Sequence, residues 1–268
     1  MTLCVCVGIP EGIVLAGESR QTYRGRGGAR IGSDSATKVF ELTDSIMAGT
    51  YGWAFLRPQG AATLRNISSL VQEFRGTIQA GASVQTVAND LFAFFNTAYQ
   101  WHTAQGYEPP VAAGQFALGF LVCGYDAASR VGTVFECRIP GGVTSLRDTN
   151  NPGANWSGQT DVVSRIILGW DPRLGTLPAI QQMVQQLGPA AGNPLQGLEY
   201  VINWHTMTLQ DAVDFAMSMI QITITIQRFT DGIRLNPGDV PGVGGPIDVG
   251  IVKPGDRVTW IRRKELHA

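Results

Sequence analysis

The sequence predicts an α+β protein, a four-layer αββα sandwich in which two antiparallel sheets pack between layers of helices. Strand-like runs at both ends and in the middle of the chain alternate with two groups of amphipathic helical patterns. Short turns join neighbouring strands, as in hairpins. With 44% apolar residues in 268 positions and no low-complexity linker, the chain is predicted to form a single domain over residues 1–268.

The first quarter of the chain has the pattern of antiparallel strands. Residues 3–7 and 12–17 are β-rich runs, and Ile9-Pro10-Glu11 forms a turn between them. Residues 38–42 and 45–50 form a second strand pair. The glycine- and arginine-rich segment 21–32 between the two pairs is predicted to be a loop.

Two amphipathic helices follow. Apolar residues recur at intervals of three and four over residues 64–78, which predicts a helix that ends before Gly81. Ser83 is a suitable N-cap for a second helix that contains Val84, Val87 and Leu91.

The second half of the chain repeats this order. Strands are predicted at residues 115–125, 131–138, 247–252 and 257–261, and helices at 160–170, 177–187 and 208–226. Thr208 and Asp211 resemble a capping box at the start of the last helix. Isoleucine and threonine alternate over 222–226, which would also suit a strand, but the helical interpretation is preferred. The segment 171–205 is predicted to be an insertion into the domain.

Composition excludes several classes of function. Twenty lysines and arginines against 21 acidic residues give no electrostatic basis for nucleic-acid or membrane-surface binding. The sequence contains no run of 18 apolar residues, so no membrane span is expected. Its start lacks a basic region followed by an apolar stretch, so no secretory signal is expected. The four cysteines lie in apolar runs rather than CxxC pairs, and the histidines lack ligand spacing. Reduced, buried thiols, a cytoplasmic location and no metal site are therefore expected.

Thr2 is the first candidate for chemistry. If Met1 is removed, Thr2 carries a hydroxyl nucleophile and a free α-amine on one residue. An α-amine titrates at roughly 7.7–8.0, so near neutral pH part of it is unprotonated and acts as a base. Threonine activated by its own amine is an established form of nucleophilic catalysis.

Glu18 and Lys38 are the next two candidates. The second strand runs antiparallel to the first, so its end at Glu18 returns beside Thr2. A buried pair of Glu18 and Lys38 would hold the lysine charged and aim it at the threonine hydroxyl. A nearby cation favours the alkoxide and keeps the amine neutral, which are the states that this mechanism needs.

Several segments occur in the order and spacing that characterise one known family. They are Gly12-Ile13-Val14-Leu15-Ala16 before Glu18, Lys38-Val39-Phe40, Gly52 after Ala48-Gly49-Thr50-Tyr51, Ser157-Gly158, and Gly244-Gly245-Pro246-Ile247-Asp248-Val249. On these residues the chain resembles the proteasome β-subunit family of N-terminal nucleophile hydrolases. The resemblance follows the whole chain in element order and is strongest in residues 2–52 and 244–250.

The resemblance implies a fold and a set of catalytic residues. It implies the N-terminal nucleophile hydrolase fold, with Thr2 as nucleophile and Glu18 and Lys38 as its ion pair. The family's oxyanion-hole glycine, which donates its backbone N–H, corresponds to Gly52, and its supporting serine corresponds to Ser157. The implied substrate pocket involves Gln21, Ala36, Thr50 and Ala54, a small and weakly polar set that predicts no strong charge preference.

The chain departs from the family pattern in three places. Glu18 stands where the family commonly has Asp, one methylene shorter. Val240-Pro241-Gly242-Val243 replaces the family's Asp and Ser before the double glycine, and Asp239 is a candidate substitute. Segments 21–32 and 171–205 are enlarged, which favours a bacterial or archaeal proteasome-like branch.

The function expected from these residues is that of a threonine endopeptidase acting on peptides or unfolded proteins. No cofactor is required, and the resemblance implies a homo-oligomeric ring or similar closed assembly; the sequence does not identify an unfoldase partner. Two alternatives stay open: an amidase or transpeptidase that uses the same acyl-threonine intermediate, and a noncatalytic ring or scaffold subunit, which retention of Met1 would favour.

Overall fold

The computed structural model of the protein describes residues 2–25, 28–187, 195–233, 236–237 and 241–265. Their strands alternate with the helices in the order that the sequence predicts. The strands are β1 (Leu3–Ile9), β2 (Gly12–Glu18), β3 (Gln21–Gly25), β4 (Gly28–Ser33), β5 (Val39–Thr43), β6 (Ile46–Gly52), β7 (Phe55–Leu56), β8 (Arg65–Asn66), β9 (Leu118–Tyr125), β10 (Gly132–Ile139), β11 (Gly142–Asp148), β12 (Gly153–Gly158), β13 (Gly232–Ile233), β14 (Asn236–Pro237), β15 (Ile247–Val252) and β16 (Thr259–Arg262).

Each predicted helix is present, with small differences at the ends. The α-helices are α1 (Ile67–Arg75), α2 (Val84–Ala104), α3 (Asp161–Leu168), α4 (Pro178–Leu187) and α5 (Leu209–Arg228). Short 3-10 helices lie at Pro172–Thr176, Gln196–Leu198 and Trp204–Thr206. These turns and α4 lie in or next to the segment 171–205. That this segment is an insertion, and that the chain forms a single domain, both stay predictions.

Two five-stranded antiparallel sheets form the centre of the protein. The first has the order β12-β1-β2-β15-β16, and the second has the order β11-β10-β9-β6-β5. In the first sheet, β1 lies between its hairpin partner β2 and the distant strand β12. The start of β1 is therefore anchored on both sides.

Alternation along the strands divides the apolar residues into three layers. Leu3, Val5 and Val7 of β1 pack under α3 and α5, on the outer face of the first sheet. The intervening Cys4 and Cys6 point inward and contact residues of the second sheet such as Met47. The outer face of the second sheet packs against α1 and α2. Because strand side chains alternate between faces, this pattern confirms an α+β sandwich of antiparallel sheets between helices.

Local capping accounts for where the two long helices begin. The Ser83 hydroxyl accepts a hydrogen bond from the Thr86 N–H at 3.0 Å, as predicted for the start of α2. Thr208 and Asp211 form the reciprocal capping box at the start of α5. The helical interpretation of 222–226 is confirmed, because α5 continues to Arg228 and the Thr223 hydroxyl donates to the Met219 carbonyl at 2.8 Å.

Two parts of the sequence-based prediction of strands are wrong or incomplete. The segment predicted to be a loop contains strands at 21–25 and 28–33: β3 and β4 form an antiparallel pair in which Tyr23 lies opposite Arg30. The two-residue strands β7, β8, β13 and β14 were not predicted. Nor were β11 and β12, because their sequences contain glycine and polar residues rather than an apolar run. They form because β10 and β1 offer edges with which to pair. Among the described helices, none has the length and apolar character that crossing a membrane requires.

Candidate active site

Thr2 lies directly before β1 and is buried, with 4% of its surface exposed. Its carbonyl accepts a hydrogen bond from the Gln159 N–H at 2.7 Å, which extends the pairing of β1 with β12. Gly158 approaches this carbonyl so closely, at a φ of +104°, that a side chain there would overlap it. The position of Thr2 therefore depends on glycine at residue 158.

Glu18 ends β2 and is fully buried. One carboxylate oxygen, Oε1, accepts a hydrogen bond from the Lys38 ammonium. The other, Oε2, accepts from the backbone N–H groups of Arg20 at 2.6 Å and Gly244 at 3.0 Å. The longer side chain of glutamate thus still forms the ion pair, and both of its oxygens have partners.

Lys38 lies just before β5, with 6% of its surface exposed. In addition to Glu18, its ammonium donates to the Arg20 carbonyl. Its own carbonyl accepts from the Thr50 N–H at 2.9 Å, which fixes the lysine backbone against β6. Side chain and backbone are both held, so the ammonium has a defined position.

Burial is the largest influence on the pKa values of this ion pair. Desolvation raises the pKa of the Glu18 carboxyl and lowers the pKa of the Lys38 ammonium. The attraction between the two groups opposes both shifts. Lys38 therefore loses its proton at a lower pH than an exposed lysine does.

A cavity of about 410 Å³ brings together most of the predicted site residues. Its two charged lining residues in the described part of the chain, Arg20 and Lys38, are cationic and are paired with Asp34 and Glu18. Hydroxyl groups are abundant in the rest of the wall. The lining residues are Thr2, Arg20, Gln21, Thr22, Tyr23, Gly32, Ser33, Ser35, Ala36, Thr37, Lys38, Thr50, Tyr51, Gly52, Trp53, Ala54, Phe55, Asn66, Ile67 and Ser68.

The four residues predicted for the substrate pocket all line this cavity. Backbone hydrogen bonds tie three of them to neighbouring segments: the Ala36 N–H donates to Ser19, the Thr50 N–H donates to Lys38, and the Ala54 carbonyl accepts from Ile67. The Gln21 side chain donates to the Asn66 side chain at 3.4 Å. The β3–β4 pair, predicted to be a loop, forms part of the same wall through Tyr23 and Ser33.

Gly52 lines the cavity at the end of β6. Its φ of +92° lies in the region that favours glycine, and a side chain there would overlap the Ala117 carbonyl. Trp53, the next residue, donates its N–H to that same carbonyl at 2.9 Å. The turn out of β6 therefore requires glycine at the position predicted for the oxyanion hole.

Ser157 lies on β12, directly opposite Cys4 of β1, and is not one of the described residues that line the cavity. Its hydroxyl is within 2.8 Å of Oε1 of Glu136, a buried residue of β10. The Tyr51 hydroxyl donates to the same oxygen at 2.7 Å, and Arg138 pairs with the other oxygen. Glu136 was missed by sequence reasoning, because a single glutamate in a strand-like run gives no signal of its distant partners.

The closing segment touches the ion pair through Gly244. This glycine donates its N–H to Glu18, and a side chain at the position would overlap the Arg20 guanidinium. Arg20 in turn forms two hydrogen bonds with Asp34, at 2.7 and 2.9 Å. Asp239, the candidate substitute for the missing acidic support, lies outside the described residues.

The described residues contain no group of three or more His, Cys, Asp or Glu side chains placed to hold a metal ion. No family model matches the sequence, and comparison with curated proteins finds no significant match.

Proposed function

We propose that this protein is a threonine peptidase of the N-terminal nucleophile type, which cleaves peptide bonds after removal of Met1. The observation that carries the proposal is that Thr2 and Lys38 line one cavity, with the lysine held by a fully buried glutamate. The resemblance to proteasome β-subunits and the N-terminal nucleophile hydrolase fold belong to the same proposal.

Acylation begins at the Thr2 hydroxyl. The hydroxyl oxygen attacks the carbonyl carbon of the peptide bond, and its proton passes to the Thr2 α-amine, directly or through a water. The Lys38 ammonium lowers the pKa of the hydroxyl by favouring the alkoxide. Collapse of the tetrahedral intermediate breaks the C–N bond, the leaving amine takes the proton back, and an ester remains on Thr2.

The Gly52 N–H is proposed to stabilise the negative charge that develops on the carbonyl oxygen. One such donor contributes about 2.7–4 kcal/mol where it has been measured. Water then attacks the ester with the α-amine as base, and the product acid and the free threonine are released. These steps need no cofactor.

Substrate and assembly follow from the same proposal. The cavity is rich in hydroxyl groups and its cations are paired, which favours uncharged, small or polar side chains from the substrate. The family resemblance implies a homo-oligomeric ring. A cytoplasmic location is supported by the four cysteines, which are all free and buried.

Intact-mass measurement before and after treatment with a threonine-directed peptide electrophile tests the proposal. We expect a mass that lacks Met1 and a gain of one adduct per chain. Thr2→Ala should remove the adduct and leave the melting temperature close to that of the wild type.

The matched control is Thr22→Ala, since Thr22 lines the same cavity on a different wall. It should still form the adduct. An adduct that persists in Thr2→Ala would contradict the proposal, and a wild-type protein that retains Met1 and forms no adduct would favour a noncatalytic subunit.

A further inference from the structure

One buried carboxylate oxygen accepts two hydrogen bonds beside the proposed active site. Oε1 of Glu136 is 2.7 Å from the Tyr51 hydroxyl and 2.8 Å from the Ser157 hydroxyl. All three residues are buried. A carboxylate only accepts hydrogen bonds, so in both contacts the hydroxyl is the donor.

These contacts join the two sheets of the sandwich. Ser157 belongs to β12 in the first sheet, whereas Tyr51 and Glu136 belong to β6 and β10 in the second. The surrounding layer between the sheets is largely apolar. Buried polar contacts of this kind specify one arrangement of the groups that they connect, because an unpaired polar group there is costly.

Each of the two donors is adjacent to a proposed catalytic group. Ser157 pairs with Cys4 on β1 and so lies on the same face as Thr2, one alternation further along the strand. Tyr51 immediately precedes Gly52, and its Cβ would lie 3.4 Å from a Cβ at Gly158, beside the Thr2 carbonyl. One carboxylate therefore connects β12, the neighbour of the strand that begins beside Thr2, with β6, the strand that ends at Gly52.

The direction of the Ser157 bond also matters. Because the Ser157 hydroxyl donates its proton to Glu136, its oxygen is left to act as a hydrogen-bond acceptor. The protonated Thr2 α-amine that forms during acylation carries donors, and Ser157 lies opposite Cys4, two residues along the chain from Thr2. Negative charge on Glu136 would strengthen this acceptor, as charge-assisted hydrogen bonds are stronger than neutral ones.

We propose that Glu136 is a positioning residue of this active site: it fixes Thr2 relative to Gly52 and orients Ser157 to accept from the Thr2 amine. The inference rests on the proposed function. This chain lacks the Asp and Ser that the proteasome β-subunit family has before the double glycine. The inference assigns Glu136 a supporting role beside Thr2 in their place. Burial and the adjacent carboxylate raise the pKa of the Tyr51 hydroxyl, which keeps it a donor.

The test follows the rate of adduct formation with the peptide electrophile as a function of pH, in the wild type and in Glu136→Gln. Removing the negative charge should lower the pKa of the Thr2 amine and move the acid limb of the profile to lower pH, by on the order of 0.5 unit. The maximal rate should fall about ten-fold, because a charge-assisted contact becomes neutral. The half-saturating concentration of the electrophile should not change.

Tyr51→Phe provides a second variant of nearly unchanged shape. Its maximal rate should fall about three-fold, because Glu136 loses one of its two hydroxyl donors and keeps the other, Ser157. Asp256→Asn, which neutralises an exposed carboxylate paired with Lys253, should match the wild type in rate and profile. If Glu136→Gln does not fold, Tyr51→Phe decides the outcome, and an unchanged maximal rate in that variant overturns the inference; the criterion of the acid limb applies to Glu136→Gln alone.

The outcomes separate this inference from the proposed function. Suppose that the wild type forms an adduct on Thr2 but Glu136→Gln leaves the acid limb of the pH profile in place. That result overturns the inference and leaves the proposed function standing. A lower rate with an unmoved acid limb does so too, since it indicates only a structural role. Absence of any Thr2 adduct in the wild type overturns the proposed function and the inference together.

Discussion

The protein buries two carboxylates near Thr2, and their partners differ. Glu18 pairs with the Lys38 ammonium, itself buried, and with two backbone N–H groups. Glu136 binds two neutral hydroxyls, and its cationic partner Arg138 has 55% of its side chain exposed. Both carboxyl groups are buried, but of the two only Glu18 has its cationic partner buried as well.

The difference indicates a division of work within the site. A buried ion pair contributes charge, and the loss of one partner leaves the other uncompensated. Hydrogen bonds from neutral hydroxyls to a carboxylate contribute direction and connect the segments that carry them. In the proposed mechanism, the Glu18 region therefore controls the electrostatics at Thr2, and the Glu136 region controls its geometry.

The largest effect is expected in the Glu18 region. Lys38→Met should reduce the rate of adduct formation on the order of 10³-fold or more, as for members of a catalytic unit. It should also lower the free energy of unfolding by about 3–5 kcal/mol, because Glu18 is left as a buried charge without its cation. Labelling kinetics and chemical denaturation measure the two effects.

A double variant separates charge from packing. Glu18→Gln combined with Lys38→Met removes both charges, so stability should recover toward the wild type while labelling stays lost. Equal instability of the single and double variants would show that the ion pair is not what couples these residues.

The next effect concerns Gly158, which lies between the two regions. Gly158→Ala should strongly reduce labelling and destabilise the fold by more than the ~1–2 kcal/mol cost of a left-handed residue, since its side chain overlaps the Thr2 carbonyl. Gly60→Ala is the matched control, with a φ of +79° and no atom within 4 Å of the new Cβ. Gly60→Ala should lower the free energy of unfolding only by the cost of the left-handed backbone and leave labelling unchanged. A similar loss of labelling in both variants would contradict the account.

The smallest effects are shifts of the pH profile, which should differ between the regions. Burial lowers the pKa of Lys38 from its ordinary value of 10.5, so activity should fall as pH rises through a value below 10.5. Lys38→Arg should move this alkaline limb upward, because arginine stays protonated. Glu136→Gln should move the acid limb alone. A profile in which both variants move the same limb would remove the distinction between the regions.

Deprotonation of Lys38 at high pH should change the stability of the fold in the opposite direction to its change of activity. Between the folded pKa and 10.5, the unfolded chain binds the Lys38 proton and the folded chain does not. The free energy of unfolding should therefore rise with pH in this window. Chemical denaturation of the wild type and of Lys38→Met at several pH values measures this rise in the free energy of unfolding. The same data show whether alkaline inactivation comes from unfolding.

Local signals predicted much of the fold. The β1–β2 pair and the start of α2 follow from short turns and a serine cap, which act between residues that are close in sequence. The Glu18–Lys38 pair was predicted from the return of β2 beside Thr2. It forms in the structure, with Lys38 and Thr2 on one cavity.

Contacts between distant segments could not be predicted in the same way. β12 contains Gly153 and few apolar residues, and it is a strand because β1 pairs with it. The hydroxyl partners of Glu136 lie 85 and 21 residues away, so no local pattern reveals the network that this glutamate joins. The β3–β4 pair was predicted to be a loop from its glycine and arginine content, although its residues pair across a short connection.

Tandem mass spectrometry of the electrophile adduct tests the central claim most directly, because it locates the modified atom. The account predicts that the labelled peptide begins at Thr2 and carries the adduct on that residue. A labelled peptide that still begins with Met1, or an adduct on any other side chain, would contradict it.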